Sequence, residues 1–184
     1  MSENNNKNFE SISFIKNSLA EGGLRTKNAL KENTKIKPLI SIITVVLNGE
    51  KHLEESIKSL HNQLDNNYEH IIIDGGSTDK TLDIIKKFED KIEYWCQIND
   101  NGIYDAFNLG MQLSKGEYIG FLNSDDQYTP EAFKYLNSYI RKYPEKDFIF
   151  GSVRKHWGIL YGYRPYKIYW SWGFYSSHST GFFI

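Results

Sequence analysis

Only one cysteine, Cys96, occurs in this chain of 184 residues, which excludes an internal disulfide and fits a reducing compartment. On a short strand, Cys96 reads as a small buried apolar residue. Cationic excess is missing too. The net charge is −1 and no basic stripe runs along any segment, which argues against a nucleic-acid partner. Seven Lys/Arg against four Asp/Glu precede Pro38, so the remainder is mildly acidic. The Asn-, Lys- and Glu-rich start carries no apolar core of a secretory signal, and no stretch approaches the about 20 apolar residues that span a bilayer. The expectation is a soluble, cytoplasmic protein, with peripheral contact at the inner face of the plasma membrane still open to it. Three phosphate-binding devices are also missing. There is no G-x-G-x-x-G after the first strand, no P-loop, and no Gly-rich, Arg-containing loop of the nucleotide-sugar pyrophosphorylase kind.

What is present is alternation. Leu39 to Leu47 is a β-branched run typical of a central parallel strand. Leu53, Ile57, Leu60 and Leu64 then mark one face of a helix. A second strand over Tyr68 to Ile73 is followed by Asp74-Gly-Gly-Ser-Thr-Asp79 and a helix carrying Leu82, Ile85 and Phe88. Ser77 or Thr78 is placed to cap that helix, and Asp79 suits its first turn. Ile92 to Cys96 predicts a short third strand, and Ile103 to Ser114 a helix stopped by Gly116. Glu117 to Asn123 is another buried strand. Thr129-Pro130-Glu131 predicts the next helix start, with Phe133, Leu136 and Ile140 facing inward, before a last strand over Phe148 to Val153. Ahead of all this, Phe9 to Leu19 carries enough apolar residues for one short helix, broken by Gly22-Gly23. The order predicts an α/β fold, a mostly parallel central sheet with helices on both faces.

Ligands of such sheets gather beyond the carboxyl ends of the strands. Three loops stand there: Leu47-Asn48-Gly49-Glu50, Asp74-Gly75-Gly76-Ser77 and Ser124-Asp125-Asp126. Adjacent carboxylates repel each other and call for a hard cation, Mg²⁺ or Mn²⁺, of the kind that also binds substrate phosphates. The same pair also fits a solvated turn. Asn48 and Asp74 offer directional hydrogen bonds to a heterocycle or ribose, and Gly75-Gly76 admits either a flat ring or a tight turn. The aromatic crowd from Trp157 to Tyr175 reads equally as a packed core or lid and as a sugar-stacking or membrane-edge surface.

ISIITVVLNGEKHLEESIKSL, IIIDGGSTDKTLDIIKKF and NDNGIYDAFNLGMQLSKGEYIGFLNSDD, in this order and spacing, resemble family 2 glycosyltransferases of the GT-A (Rossmann-like) fold. The likeness is to bacterial enzymes that build O-antigen, capsule or colanic acid, and it runs from about Pro38 to the C-terminus. Glu21 to Thr26 resembles segments that precede the catalytic domain in that group. Residues 1–37 would then be a polar, partly helical N-terminal extension, and 38–184 a GT-A domain with an incomplete acceptor side. By this resemblance Thr44, Val46, Asn48, Asp74 and Gly75 would hold the base and ribose of a nucleotide-sugar donor, with UDP the default. Asp105 and Asn108 would line the sugar–diphosphate side. Asp126 would be the direct ligand of Mn²⁺ or Mg²⁺, with Asp125 beside it toward the ribose or sugar. Many relatives carry a second acid where this chain has Gly75, which leaves the nucleotide open.

The implied reaction is inverting transfer to a saccharide or lipid-linked saccharide acceptor. No residue fills the role of base. His178 resembles a histidine near the acceptor side and equally fits a structural position, while Asp147 reads as structural. Gly181-Phe-Phe-Ile184 stops in what reads as mid-strand, so the sequence is expected to be a truncated frame whose base lies further on. An inactive nucleotide-binding module is the alternative, and an α/β domain without a ligand is a third.

Overall fold

The computed structural model of the chain describes residues 15–27, 39–99, 102–147, 149–155, 158–160 and 182–184. At its centre β2 (Ile40–Val46) pairs in parallel with β3 (Tyr68–Asp74), from Ile40 opposite Tyr68 to Val46 opposite Asp74. Every β3 position is buried, as are all of β2 except Val45, which is the pattern of strands covered on both faces. β4 (Tyr94–Gln97) continues the parallel block beyond β3, and β5 (Tyr118–Phe121) continues it beyond β2. Antiparallel strands close the flanks. β1 (Ala20–Gly22) adds to β4, while β9 (Phe182–Phe183) lies between β5 and β6 (Ile149–Phe150). β7 (Val153–Lys155) and β8 (Gly158–Leu160) form a separate hairpin.

Alternation along the strands divides the core between two faces. On one, Ile40, Ile42, Val46 and Ile72 pack under α1 (Leu53–His61), α2 (Thr81–Lys87) and α4 (Ala132–Lys142). On the other, Ile71, Ile73 and Cys96 pack under α3 (Ile103–Leu113). There Gly110 lies so close to Ile43 that a β-carbon would meet its side chain at 2.4 Å. Burial pushes the Cys96 thiol up to about 12, helped by the charges of Glu21 and Asp74, so it is an inert core group. No helix among the described residues is long and apolar enough to cross a membrane.

The structure departs from the sequence reading in several places. The described part of the lead-in makes a 3-10 turn, Ile15–Asn17, and then the edge strand β1, while most of the helix expected over Phe9 to Leu19 lies outside the described residues. Gly23, at φ 101°, turns the chain out of that strand. Arg25 then reaches under the sheet, pairing with Glu69 and donating to the Leu113 carbonyl at 2.8 Å. Leu64 is not on the α1 face. The helix ends at His61, and Leu64 is 82% exposed. Gln63 faces inward instead and caps α4: its Oε1 accepts from Phe133 N at 3.1 Å, and its Nε2 donates to the Thr129 carbonyl at 2.9 Å. With that cap supplied from a distance, α4 starts at Ala132, later than Thr129-Pro130 suggests. The third strand is shifted to Tyr94–Gln97, and the expected strand over Phe148 to Val153 divides into β6 and the hairpin.

Candidate functional site

Register decides which loops meet. Val46, Asp74 and Gln97 lie side by side at the carboxyl edge, so the chain leaving β2, β3 and β4 emerges together there. The first two exits are clamped to each other. Asn48 N donates to Ser77 Oγ at 2.8 Å and Thr78 N returns a bond to Asn48 Oδ1 at 2.9 Å. Gly49 N donates to Thr81 Oγ1 at 2.8 Å. Glu50 N donates to Asp79 Oδ2 at 3.1 Å, and Lys80 N to Glu50 Oε2 at 3.2 Å. Asn48 holds its place at φ 53°, a left-handed conformation that asparagine tolerates better than most residues. Desolvation works against the Asp79 charge, yet hydrogen bonds from Thr81 and Glu50 outweigh it and hold the carboxyl below the usual range. The helix start at α2 is thus managed by Asp79, which accepts from Thr81 N at 2.9 Å, while Ser77 turns back to Asp74 and Thr78 to Asn48.

The residues expected to hold a base separate into two groups. Thr44 and Val46 have buried side chains: the Thr44 hydroxyl meets His70 Nε2 at 2.9 Å, and Val46 packs with Leu53 and Ile72. Neither side chain lies on the surface of the cleft, although the Val46 carbonyl accepts from Gly75 N at 2.9 Å and so shapes it. Asp74 is also buried. Its Oδ1 accepts from the amide and hydroxyl of Ser77 and its Oδ2 from Gln97 Nε2 at 2.7 Å, making it the inner pin of the loop. Asn48 is exposed and Gly75 half-buried, so these two face outward. Gly76 takes φ 90°, and a β-carbon there would stand 3.1 Å from Asn99 Oδ1. Gln97 escaped the sequence reading. Its signal was a polar residue closing an otherwise apolar strand.

On the opposite face, α3 opens at the same edge through Gly102, at φ 125°, whose carbonyl accepts from Asp105 N at 3.0 Å. Asp105 is half-buried and Asn108 exposed, and Ile103 and Tyr104 beside them are 54% and 79% exposed.

Beyond β5 the chain makes a tight turn, with Asp126 N donating to the Asn123 carbonyl at 3.0 Å. Asp125 is exposed and Asp126 half-buried, and Asn123 Nδ2 donates to Asp126 Oδ2 at 2.7 Å. Burial and the nearby Asp126 charge push the Tyr128 phenol well above its ordinary range. Among the described residues no group of three or more His, Cys, Asp or Glu is placed to hold an ion. The oxygen pair Asp125 and Asp126 suits a hard cation that takes its remaining ligands from phosphate and water. His178 and the aromatic stretch, apart from β8, lie outside the described residues.

The profile described as Glycosyl transferase family 2 matches residues 41–182. The chain belongs to this family. It is 38% identical over 120 residues to an uncharacterized glycosyltransferase of Rickettsia typhi, covering 65% of this chain and 37% of that protein. A PGL/p-HBAD biosynthesis glycosyltransferase of Mycobacterium bovis is 33% identical over 120 residues, covering 63% and 47%. The match therefore spans less than half the length of these curated relatives. The crystal structure of S. aureus TarS 1-349 in complex with UDP-GlcNAc superposes with TM-score 0.58 at 28% identity, over 61% of this chain and 33% of that one. The mannosyltransferase PcManGT of Pyrobaculum calidifontis, in complex with GDP-Man and Mn²⁺, shares the fold at TM-score 0.53 and 18% identity, over 68% and 38%. The central sheet of this family 2 chain, flanked by helices, is the GT-A arrangement of those neighbours.

Proposed function

We propose that the chain is the donor-binding part of a glycosyltransferase that moves a sugar from a UDP-sugar to a saccharide or lipid-linked acceptor in surface-polysaccharide assembly, at the cytoplasmic face of the membrane. The observation that carries this reading is the meeting, at one sheet edge, of the Asn48–Ser77 clamp with the Asp125-Asp126 turn. TarS, 28% identical, is seen with UDP-GlcNAc, which favours uridine over other bases. Asn48 and the Gly75-Gly76 backbone would meet the base and ribose, and Asp105 and Asn108 the sugar–diphosphate side. Asp126, with Asp125, would hold Mn²⁺ or Mg²⁺, which neutralises charge developing on the diphosphate as the anomeric bond breaks. Transfer would proceed with inversion, a carboxylate base accepting the acceptor's proton. A nucleotide-binding module without turnover is the second reading.

Calorimetric titration of UDP with and without Mn²⁺, repeated on Asp126→Asn, tests the donor site. Binding that needs both the metal and the carboxylate is expected, and equal binding by the variant would sink the assignment. GDP and dTDP titrations then fix the base. Slow hydrolysis of a UDP-sugar with Mn²⁺, lost in Asp126→Asn, distinguishes enzyme from binding module.

A further inference from the structure

We infer that Asn123 is a positioning residue for the acidic pair, fixing the Asp126 carboxylate relative to the loops that face the nucleotide. The inference rests on the reading above, in which Asp126 holds the divalent cation, and adds a residue to that site.

Asn123 grips Asp126 twice. Its carbonyl accepts from Asp126 N at 3.0 Å, and its side-chain amide donates to Asp126 Oδ2 at 2.7 Å. One bond sets the backbone of the turn and the other sets the rotation of the carboxylate. The amide also places a positive dipole end against a carboxylate that has a second acid as its sequence neighbour, which offsets part of their repulsion. Asn123 is in turn held by α1. The fully buried Ser56 donates its hydroxyl to the Asn123 carbonyl at 3.1 Å.

That bond begins a polar row along one side of the helix. Ser59 Oγ donates to the Ser56 carbonyl at 2.8 Å and accepts from Tyr128 N at 3.0 Å. Gln63, one turn on, takes the Thr129 carbonyl and the Phe133 amide. Ser56 and Ser59 on α1, with Gln63 just past its end, therefore carry the chain from Asn123 to Phe133. The start of the same helix is bound to the other half of the site. Leu53 N donates to the Gly49 carbonyl at 3.0 Å, and Gly49 N donates to Thr81. Asp126, Asn123, Ser56, α1, Gly49 and Thr81 therefore form one hydrogen-bonded line between acidic turn and nucleotide loops. Positioning of this sort matters because hydrogen-bonded partners behind metal ligands typically contribute about 10- to 100-fold in metal affinity.

The test is Mn²⁺ binding to the 184-residue chain, followed by electron paramagnetic resonance, with Mn²⁺ alone and with UDP. The wild type is compared with Asp126→Asn, Asn123→Ala and Ser56→Ala. Expected for Asn123→Ala is a rise of about 10- to 100-fold in the Mn²⁺ concentration at half-saturation. Metal-free UDP binding and the thermal midpoint should stay near wild type, a separation that a merely structural role would not produce. Ser56→Ala should show a smaller rise of the same kind. Asn123→Ser, which turns accept and whose shorter side chain cannot span the same contact, gives the measurement if the alanine variant does not fold. If Asp126→Asn loses Mn²⁺ while both Asn123 variants bind it within twofold of wild type, the positioning role is overturned and the donor-site reading stands. If Asp126→Asn binds Mn²⁺ as the wild type does, both fall.

Discussion

The two halves of the carboxyl edge are held by different means. Around Asn48 and Gly75, loop binds loop: Asn48, Gly49 and Glu50 exchange hydrogen bonds with Ser77, Thr78, Asp79, Lys80 and Thr81 over a shared, glycine-rich surface. On the acidic side the turn is hung on a helix, through Ser56, Ser59 and Gln63 of the α1 segment. The first design ties two loops into one surface that includes the half-buried Gly75 and Gly76. The second fixes two like charges that would otherwise separate. A surface that meets a base needs shape, while a site that meets a cation needs fixed charge.

Four experiments would break or sharpen this contrast. The largest effect is expected from Arg25→Met, which takes the cationic partner from the buried Glu69 near the start of β3. Removing one partner of a buried ion pair costs about 3–5 kcal/mol, and urea denaturation should show a loss of that size with both halves weakened together. Next comes Gln63→Ala, which strips the Phe133 amide and the Thr129 carbonyl of their partners. A loss of about 1–3 kcal/mol is expected, with Mn²⁺ binding weakened and metal-free UDP binding retained. Thr81→Val keeps shape but removes the acceptor of Gly49 N and a donor to Asp79. At a cost of about 1–2 kcal/mol it should weaken UDP binding with and without metal. A uniform loss from both of these variants would erase the contrast.

The smallest effect concerns pH. Hydrogen bonds from Lys58 and Lys87 lower the Glu54 carboxyl from 4.5 to about 2. A depressed acid contributes stability that is present above pH 4.5 and lost as the pH falls through about 2. Glu54→Gln should flatten that part of an acid denaturation curve slightly, less so in high salt because the group is exposed.

Much of this edge could be read from the chain alone, for identifiable reasons. The runs from Leu39 to Leu47 and Tyr68 to Ile73 announced paired central strands because strands buried on both faces have no polar alternation. The same lack of alternation hid which face each side chain takes; Thr44 and Val46, expected among the base contacts by the resemblance, have buried side chains. Adjacent acids after an apolar run pointed to the turn at Asp125 and Asp126. What holds that turn could not be read, since Ser56 and Asn123 stand 67 residues apart and Gln63 and Phe133 stand 70 apart. Gln63 was hidden further by Leu64, whose helical spacing extended the apparent apolar face one residue too far. The role of residues 20–25 was lost in a polar segment, since an edge strand of three residues gives almost no periodicity.

The placement of β9 has a consequence for the order of assembly. Phe183 packs over Gly120, and Ile184 N donates to the Ile119 carbonyl at 2.9 Å, more than 60 positions back along the chain. In the parallel block, β2, β3 and β4 follow one another through short crossovers and β5 then joins beside β2, whereas among the described residues β6 reaches the sheet across β9. On a ribosome the block can therefore close early, while β6 waits with its edge unpaired until residues 182–184 emerge. That interval is when this half of the molecule is most open to pairing with the wrong strand.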